Sequence, residues 1–203
     1  MMKKYNINQT TLKLLGLYRS NYATSFHVRE AARKTRIDVK AIQLQLKMLE
    51  KINVASSTQK GRNKEYSLNL NNYLTKYYMI LAETFASITY LSKNFEVKKL
   101  ISEIGDKIGD SVLLFGSFAK GEMTQESDID LLVIGDRKPD LDAVREAGRL
   151  MGREISVKST TEEKFLEGLT NSDPLMLEVA TNHVILKGVD TVCNAMWLYY
   201  AKR

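Results

Sequence analysis

Hydrophobic positions along this chain follow two different spacings, and the spacing changes near residue 110. Before that point the helical steps of three and four dominate. Ile42, Leu46 and Leu49 recur at i, i+4 and i+7, which predicts a helix over 39–51 with Asp38 as its cap. Lys40, Gln43 and Lys47 share another face of the same helix. Asn8 is placed to cap an earlier helix over 9–19, and Val28, Ala31 and Ala32 mark the inward side of a short one over 27–34. After Ile52 the pattern turns strand-like at 54–57 and 65–68, around a basic, glycine-containing tip at 59–64. Residues 72–109 return to helical spacing, from Tyr73, Tyr77, Ile80 and Leu81 to Leu100, Ile104 and Ile108, with a break at 92–95.

Beyond residue 110 the apolar residues come in short runs, which read as buried strands. Val112 to Phe115 is one and Leu131 to Ile134 another. A helix over 141–151 leads to an alternating segment at 152–157. Thr160 and Glu163 have capping-box spacing ahead of a helix over 163–169. Pro174 suits the first turn of a helix over 174–181. A last strand at 184–186 and a helix over 189–200 complete the reading, and no internal repeat is found.

The chemistry lies between the two apolar runs. Gly116-Ser117 ends the first, and Asp128-Ile129-Asp130 opens the second. In extended backbone the side chains at i and i+2 share a face, so Asp128 and Asp130 point the same way, with Cα atoms roughly 6.5–7 Å apart. Two like charges leading into a buried strand repel each other, and a cation between them relieves the repulsion. Hard ions such as Mg²⁺ take carboxylate oxygens and keep positions for substrate phosphates. Gly116 allows close backbone approach to a ligand, and the short helix expected after it would offer N–H groups to a phosphate, with Ser117 and Lys120 at hand.

Strand, Gly-Ser, about ten residues and then Asp-x-Asp resembles the minimal nucleotidyltransferases of the DNA polymerase β superfamily, over about residues 112–190. The resemblance implies that Gly116 and Ser117 hold the triphosphate of an NTP, and Lys120, nearby and basic, is the further nucleotide-binding candidate. The resemblance also implies that Asp128 and Asp130 bind Mg²⁺ (or Mn²⁺) and are catalytic. A third carboxylate is needed on a following strand, and Glu154 is the candidate for it as metal ligand and catalytic residue, although aspartate is usual there. Many relatives carry an arginine after Gly-Ser, where this chain has Phe118.

Charge divides the chain more sharply than composition does. The whole carries +6, but residues 1–72 hold 14 Lys/Arg against 4 Asp/Glu, a net +10, and the remainder is −4. Such a basic segment points to a nucleic-acid partner for the first part. Three helices followed by a basic hairpin resemble the winged helix-turn-helix regulators of bacteria and archaea. That resemblance implies duplex DNA as partner, with Lys40, Gln43 and Lys47 facing the major groove and Lys60, Arg62 and Lys64 on the wing. A winged helix used for protein contacts is the alternative.

With 44% hydrophobic residues the chain can bury a substantial core. No apolar stretch reaches the ~18 residues of a membrane span, and MMKKYNINQTTLK has no apolar signal block. Cys193 has no partner for an internal disulfide and reads as a buried small hydrophobe, and His27 and His183 lack zinc-ligand spacing. These features point to a cytoplasmic protein.

The fold class expected is α+β. A winged helix-turn-helix occupies 1–72, a connecting helical segment 73–109, and a nucleotidyltransferase domain with a mixed sheet 110–203. The connecting helix is the candidate dimer element, unless it packs only within its own chain. The expected activity is Mg²⁺-dependent transfer of a nucleotidyl group, AMP from ATP, to an acceptor hydroxyl. By the resemblance, the acceptor is a protein such as a partner toxin. The rival reading is a transcription regulator whose transferase-like domain only senses nucleotide.

Overall fold

The computed structural model describes residues 7–201; residues 1–6 and 202–203, the outer ends of the 1–72 and 110–203 segments, lie outside the described residues. The fold is mixed α+β, and its contacts divide the chain into two compact units, one ending at Ala82 and the other starting at Glu83.

In the first unit, helix α1 (Gln9–Leu15) starts at Asn8, whose side chain accepts from Thr11 N–H while the Thr11 side chain reaches back, a reciprocal cap. It gives way to a 3₁₀ turn, Gly16–Tyr18, so the regular helix stops short of residue 19. Strand β1 (Ser25–His27) was not expected from the pattern: three residues are too few to show a period, and pairing with β3 (Asn63–Leu68) is what makes them a strand. His27 caps α2 (Val28–Thr35), and Asp38 accepts from Lys40 and Ala41 N–H at the start of α3 (Val39–Lys51). Strands β2 (Ala55–Lys60) and β3 run further than the sequence suggests and meet at Gly61-Arg62, where Gly61 has φ +58°. The sheet order is β1-β3-β2, all antiparallel. Leu14, Leu15, Ile42, Leu46 and Leu49 are buried as their helical spacing requires. Tyr18 is buried too; its hydroxyl donates to the Tyr66 carbonyl at 2.9 Å, and burial pushes its ionisation up.

The boundary between the units falls inside α4 (Tyr73–Leu91), and the chain breaks at Ser92 to Asn94 before α5 (Phe95–Ile108). Helix α5 is part of the second unit's core. Its Val97, Leu100, Ile104 and Ile108 pack with Val112 and Leu114 of β4 (Ser111–Phe115) and with Ile129 and Leu131 of β5 (Ile129–Ile134).

Strands β6 (Ile155–Thr160) and β7 (Val184–Lys187) complete the second unit's sheet in the order β6-β5-β4-β7, with β6 parallel to β5 and the other pairs antiparallel. Helix α7 (Leu141–Met151) supplies the crossover that a parallel pair needs. Helix α8 (Glu162–Thr170) is capped by Thr161, one residue later than the capping-box spacing suggests, and α9 (Pro174–Thr181) begins on Pro174. Strand β7 (Val184–Lys187) and α10 (Val189–Ala201) close the unit, and Cys193 is buried. No helix among the described residues is long and apolar enough to cross a membrane.

Candidate active site

The site forms where β4 ends and β5 begins. These strands are antiparallel with Phe115 opposite Asp130, so the Gly-Ser turn and the Asp-x-Asp segment meet at the same end of the sheet. Ile129 is fully buried, Asp130 half-buried and Asp128 exposed, as expected for residues alternating between core and open face. Gly116 has φ +67°, and a Cβ built on it would stand 2.5 Å from Asp130 Oδ2. Only glycine fits there, on grounds of both backbone and space. Helix α6 (Gly116–Lys120) follows at once, tied down by the Tyr90 hydroxyl, which donates to the Phe118 carbonyl at 3.0 Å. Burial pushes the Tyr90 phenol up to about 12.

Burial, and after it the neighbouring Asp128 charge, holds the Asp130 carboxyl above the usual carboxylate range. Lys158 and a hydrogen bond from Ser156 pull it back, and Glu178 adds a further push upward. The local charge is thus in negative excess, and the missing Cβ of Gly116 leaves Asp130 accessible. Both features suit a divalent cation held by hard oxygen donors.

The candidate third carboxylate, Glu154, lies one residue before β6 (Ile155–Thr160). Among the described residues no three His, Cys, Asp or Glu side chains come together as a metal-binding group. The parallel register sets Ser156, not an acid, opposite Asp130. Glu154 comes before β6 begins. Its carbonyl accepts from Ile129 N–H at 3.0 Å, which holds its backbone level with Asp128, but its side chain is exposed. The Lys120 ammonium pairs with Glu178 of α9 at 2.7 Å, which raises its pKa.

Four residues that sequence reasoning passed over shape the site. Arg153 is the brace of the loop before Asp128. It donates to the carbonyls of Thr124, Gln125 and Ser127 at 3.2, 2.9 and 3.1 Å, pairs with Glu96 at 3.1 Å, and stacks on Phe118 with 5.2 Å to the ring centre. Glu178, Ser156 and Lys158 are the others. Alternation along 152–157 places Ser156 on the same face as Glu154, but only the strand pairing shows that it lies against Asp130.

On the first unit, Lys40, Gln43 and Lys47 are exposed along α3, as are Lys60, Arg62 and Lys64 at the hairpin. Lys60 pairs with Glu65 at 2.7 Å and Lys64 with Glu50 at 2.9 Å, whereas Arg62 is in no ion pair among the described residues.

The second unit contains a stretch that matches known proteins in sequence. Residues 96–176 match the nucleotidyltransferase domain family. The chain is 33% identical over 87 residues to the putative protein adenylyltransferase MJ0141 of Methanocaldococcus jannaschii, a match spanning 37% of this chain and 87% of that protein. It belongs to the nucleotidyltransferase domain family. A second protein of that organism, the putative protein adenylyltransferase MJ0604, is 60% identical over 25 residues, and the match spans 12% of this chain and a quarter of the relative. A crystal structure of a toxin–antitoxin with AMP-PNP overlaps 53% of this chain and 80% of its own, at 17% identity and a TM-score of 0.34. The Gly116–Asp130 corner lies within the matched residues.

Proposed function

We propose that the chain is a Mg²⁺-dependent nucleotidyltransferase that moves AMP from ATP to an acceptor hydroxyl. The observation that carries this reading is the Asp130 carboxylate lying against Gly116, with the Asp128 charge close enough to act on it. Gly116 and Ser117 would receive the triphosphate, and Asp128 and Asp130 would hold Mg²⁺ or Mn²⁺, with Glu154 the nearest further carboxylate along the register. Bound there, the ion would supply charge neutralisation at the phosphates. The protein's own part is positioning: the acceptor hydroxyl gives its proton to solvent as its oxygen attacks the α-phosphate in line, the bond from that phosphorus to the oxygen bridging to the β-phosphate breaks, and pyrophosphate leaves. The names of the two archaeal relatives support a protein as acceptor, and a partner toxin is the kind of acceptor proposed.

The first unit, in this reading, is a winged helix-turn-helix that binds duplex DNA and lets the protein regulate transcription. Its net +10, the exposed Lys40/Gln43/Lys47 face and the wing tip at Arg62 support that. Pairing two such units through a homodimer would present two half-sites. On α4, Tyr73, Tyr77, Leu81 and Ile88 are exposed and apolar, which supports α4 as the dimer element.

A second reading, nucleotide sensing without transfer, is favoured by Ser156 opposite Asp130 and by the Lys120–Glu178 pair. Calorimetry with ATP in the presence and absence of Mg²⁺ tests the site that both readings share. Unchanged binding in an Asp128→Asn/Asp130→Asn double variant would remove it. Pyrophosphate release then separates the enzyme from the sensor.

A further inference from the structure

Strand β6 carries a charge that neither the motif nor the expected third carboxylate accounts for. Ser156 lies opposite Asp130, and Lys158, two residues on, shares its face of the sheet. The Lys158 ammonium is 5.8 Å from the ring centre of Phe115 on β4. Strand β5 runs between β6 and β4, and each gap between neighbours is about 4.8 Å. To reach Phe115 from β6, the lysine side chain must lie across β5. Phe115 is also the register partner of Asp130, so the crossing is made towards the Asp130 end. Among the described residues Lys158 forms no ion pair, whereas Lys120 is held by Glu178. An aromatic face beneath an ammonium leaves its N–H donors open on the other side.

We propose that Lys158 is the phosphate-binding cation of this site, reaching from β6 over Asp130 to meet the nucleotide where a third carboxylate would otherwise hold an ion. The proposal rests on the reading that the Gly116–Asp130 corner takes an NTP. It gives Ser156 a physical sense: a neutral hydroxyl opposite Asp130 leaves the lysine uncommitted, whereas an acid would capture it. One consequence is that nucleotide binding persists after divalent ions are removed. Another is that the two aspartates bind a free metal ion less tightly than they would without the lysine.

The test uses the full chain, a fluorescent ATP analogue, and free Mn²⁺ followed by electron paramagnetic resonance. Wild-type protein should bind the analogue both with Mg²⁺ and in EDTA. Lys158→Met should weaken binding in EDTA by about tenfold or more, the scale of one charge-assisted hydrogen bond. Lys158→Arg should restore most of it. Lys158→Met should also bind Mn²⁺ more tightly in the absence of nucleotide, an effect that a merely structural lysine would not produce. Equal binding by wild type and Lys158→Met in EDTA, or no wild-type binding in EDTA while the Mg²⁺ complex forms, overturns the role of Lys158 alone. Absence of wild-type binding even with Mg²⁺ overturns the underlying nucleotide site together with it.

Discussion

Gly116 and Asp130 are in such close register that a methyl group on residue 116 would stand 2.5 Å from the Asp130 carboxylate oxygen Oδ2. The phosphate turn and the acidic strand are therefore one construction. Gly116→Ala must both adopt φ +67° and push Asp130 aside. A non-glycine residue in that backbone region costs about 1–3 kcal/mol, and chemical denaturation should show a loss of that size. ATP affinity measured by calorimetry should fall along with it. A fully stable Gly116→Ala protein with normal ATP binding would contradict the close packing.

Asp130 should weaken the fold that it serves. Its pKa is raised in the folded protein by burial and by Asp128, so the folded state holds its proton more tightly than the unfolded chain does. Stability attributable to this group is present at low pH and is lost as pH rises from the ordinary carboxylate value through the raised one. Without metal at neutral pH, Asp130→Asn should melt higher than the wild type. That gain should vanish well below the ordinary carboxylate pKa. A melting temperature lowered at neutral pH would be the opposite of this account.

Arg153 should matter far more than a surface arginine. Its side chain is 13% exposed and joins three carbonyls of the loop leading to Asp128. Arg153→Ala should destabilise the domain by about 1–3 kcal/mol, the cost of leaving such polar groups unsatisfied. Amides at 124–128 should exchange faster with solvent. Lysine should rescue poorly, because an ammonium cannot reproduce the guanidinium fork. Wild-type exchange rates in that loop would rule out the brace.

DNA binding by the first unit should fall steeply with salt, with a log–log slope of about −0.9 per phosphate contacted. Arg62→Ala should reduce that slope by roughly one unit, because a phosphate contact is lost for all sequences alike. Lys60→Ala and Lys64→Ala should change it less, since Glu65 and Glu50 already engage those lysines. Gln43→Ala should relax preference at particular bases, because amide side chains pair with adenine edges. Salt-insensitive binding, or DNA binding by residues 83–203 equal to that of the whole chain, would assign the wrong partner to this unit.

Local patterns carried much of this structure. The limits of α3 follow from an apolar stripe and an aspartate cap, and those of α9 begin at the proline, because these signals act within a few residues of the elements they define. Strand β1 was not legible in the same way, since it depends on pairing between Ser25 to His27 and Glu65 to Ser67, about forty residues apart, and the hairpin runs longer because the polar residues Thr58 to Lys60 pair with Asn63 to Glu65, where no apolar alternation marks a strand. The candidate site divides on the same line. Gly116, Ser117, Asp128 and Asp130 stand out from short-range spacing. Whether Glu154 or Ser156 faces Asp130 depends on the register of a parallel pair formed across the α7 crossover, and alternation alone puts both on one face. Likewise, Lys120 reads as available until α9 brings Glu178 to it from 58 residues away.

The most direct test of nucleotidyl transfer uses ATP labelled at its α-phosphate, with Mg²⁺ and a protein extract supplying acceptor hydroxyls. Label should become attached covalently to protein, with one pyrophosphate released for each label. Asp130→Asn should lower this by at least about a hundredfold, the usual scale for removing a preorganised charge-stabilising group. Equal labelling by wild type and Asp130→Asn, or tight ATP binding with no pyrophosphate released for any acceptor, would contradict the proposed transfer.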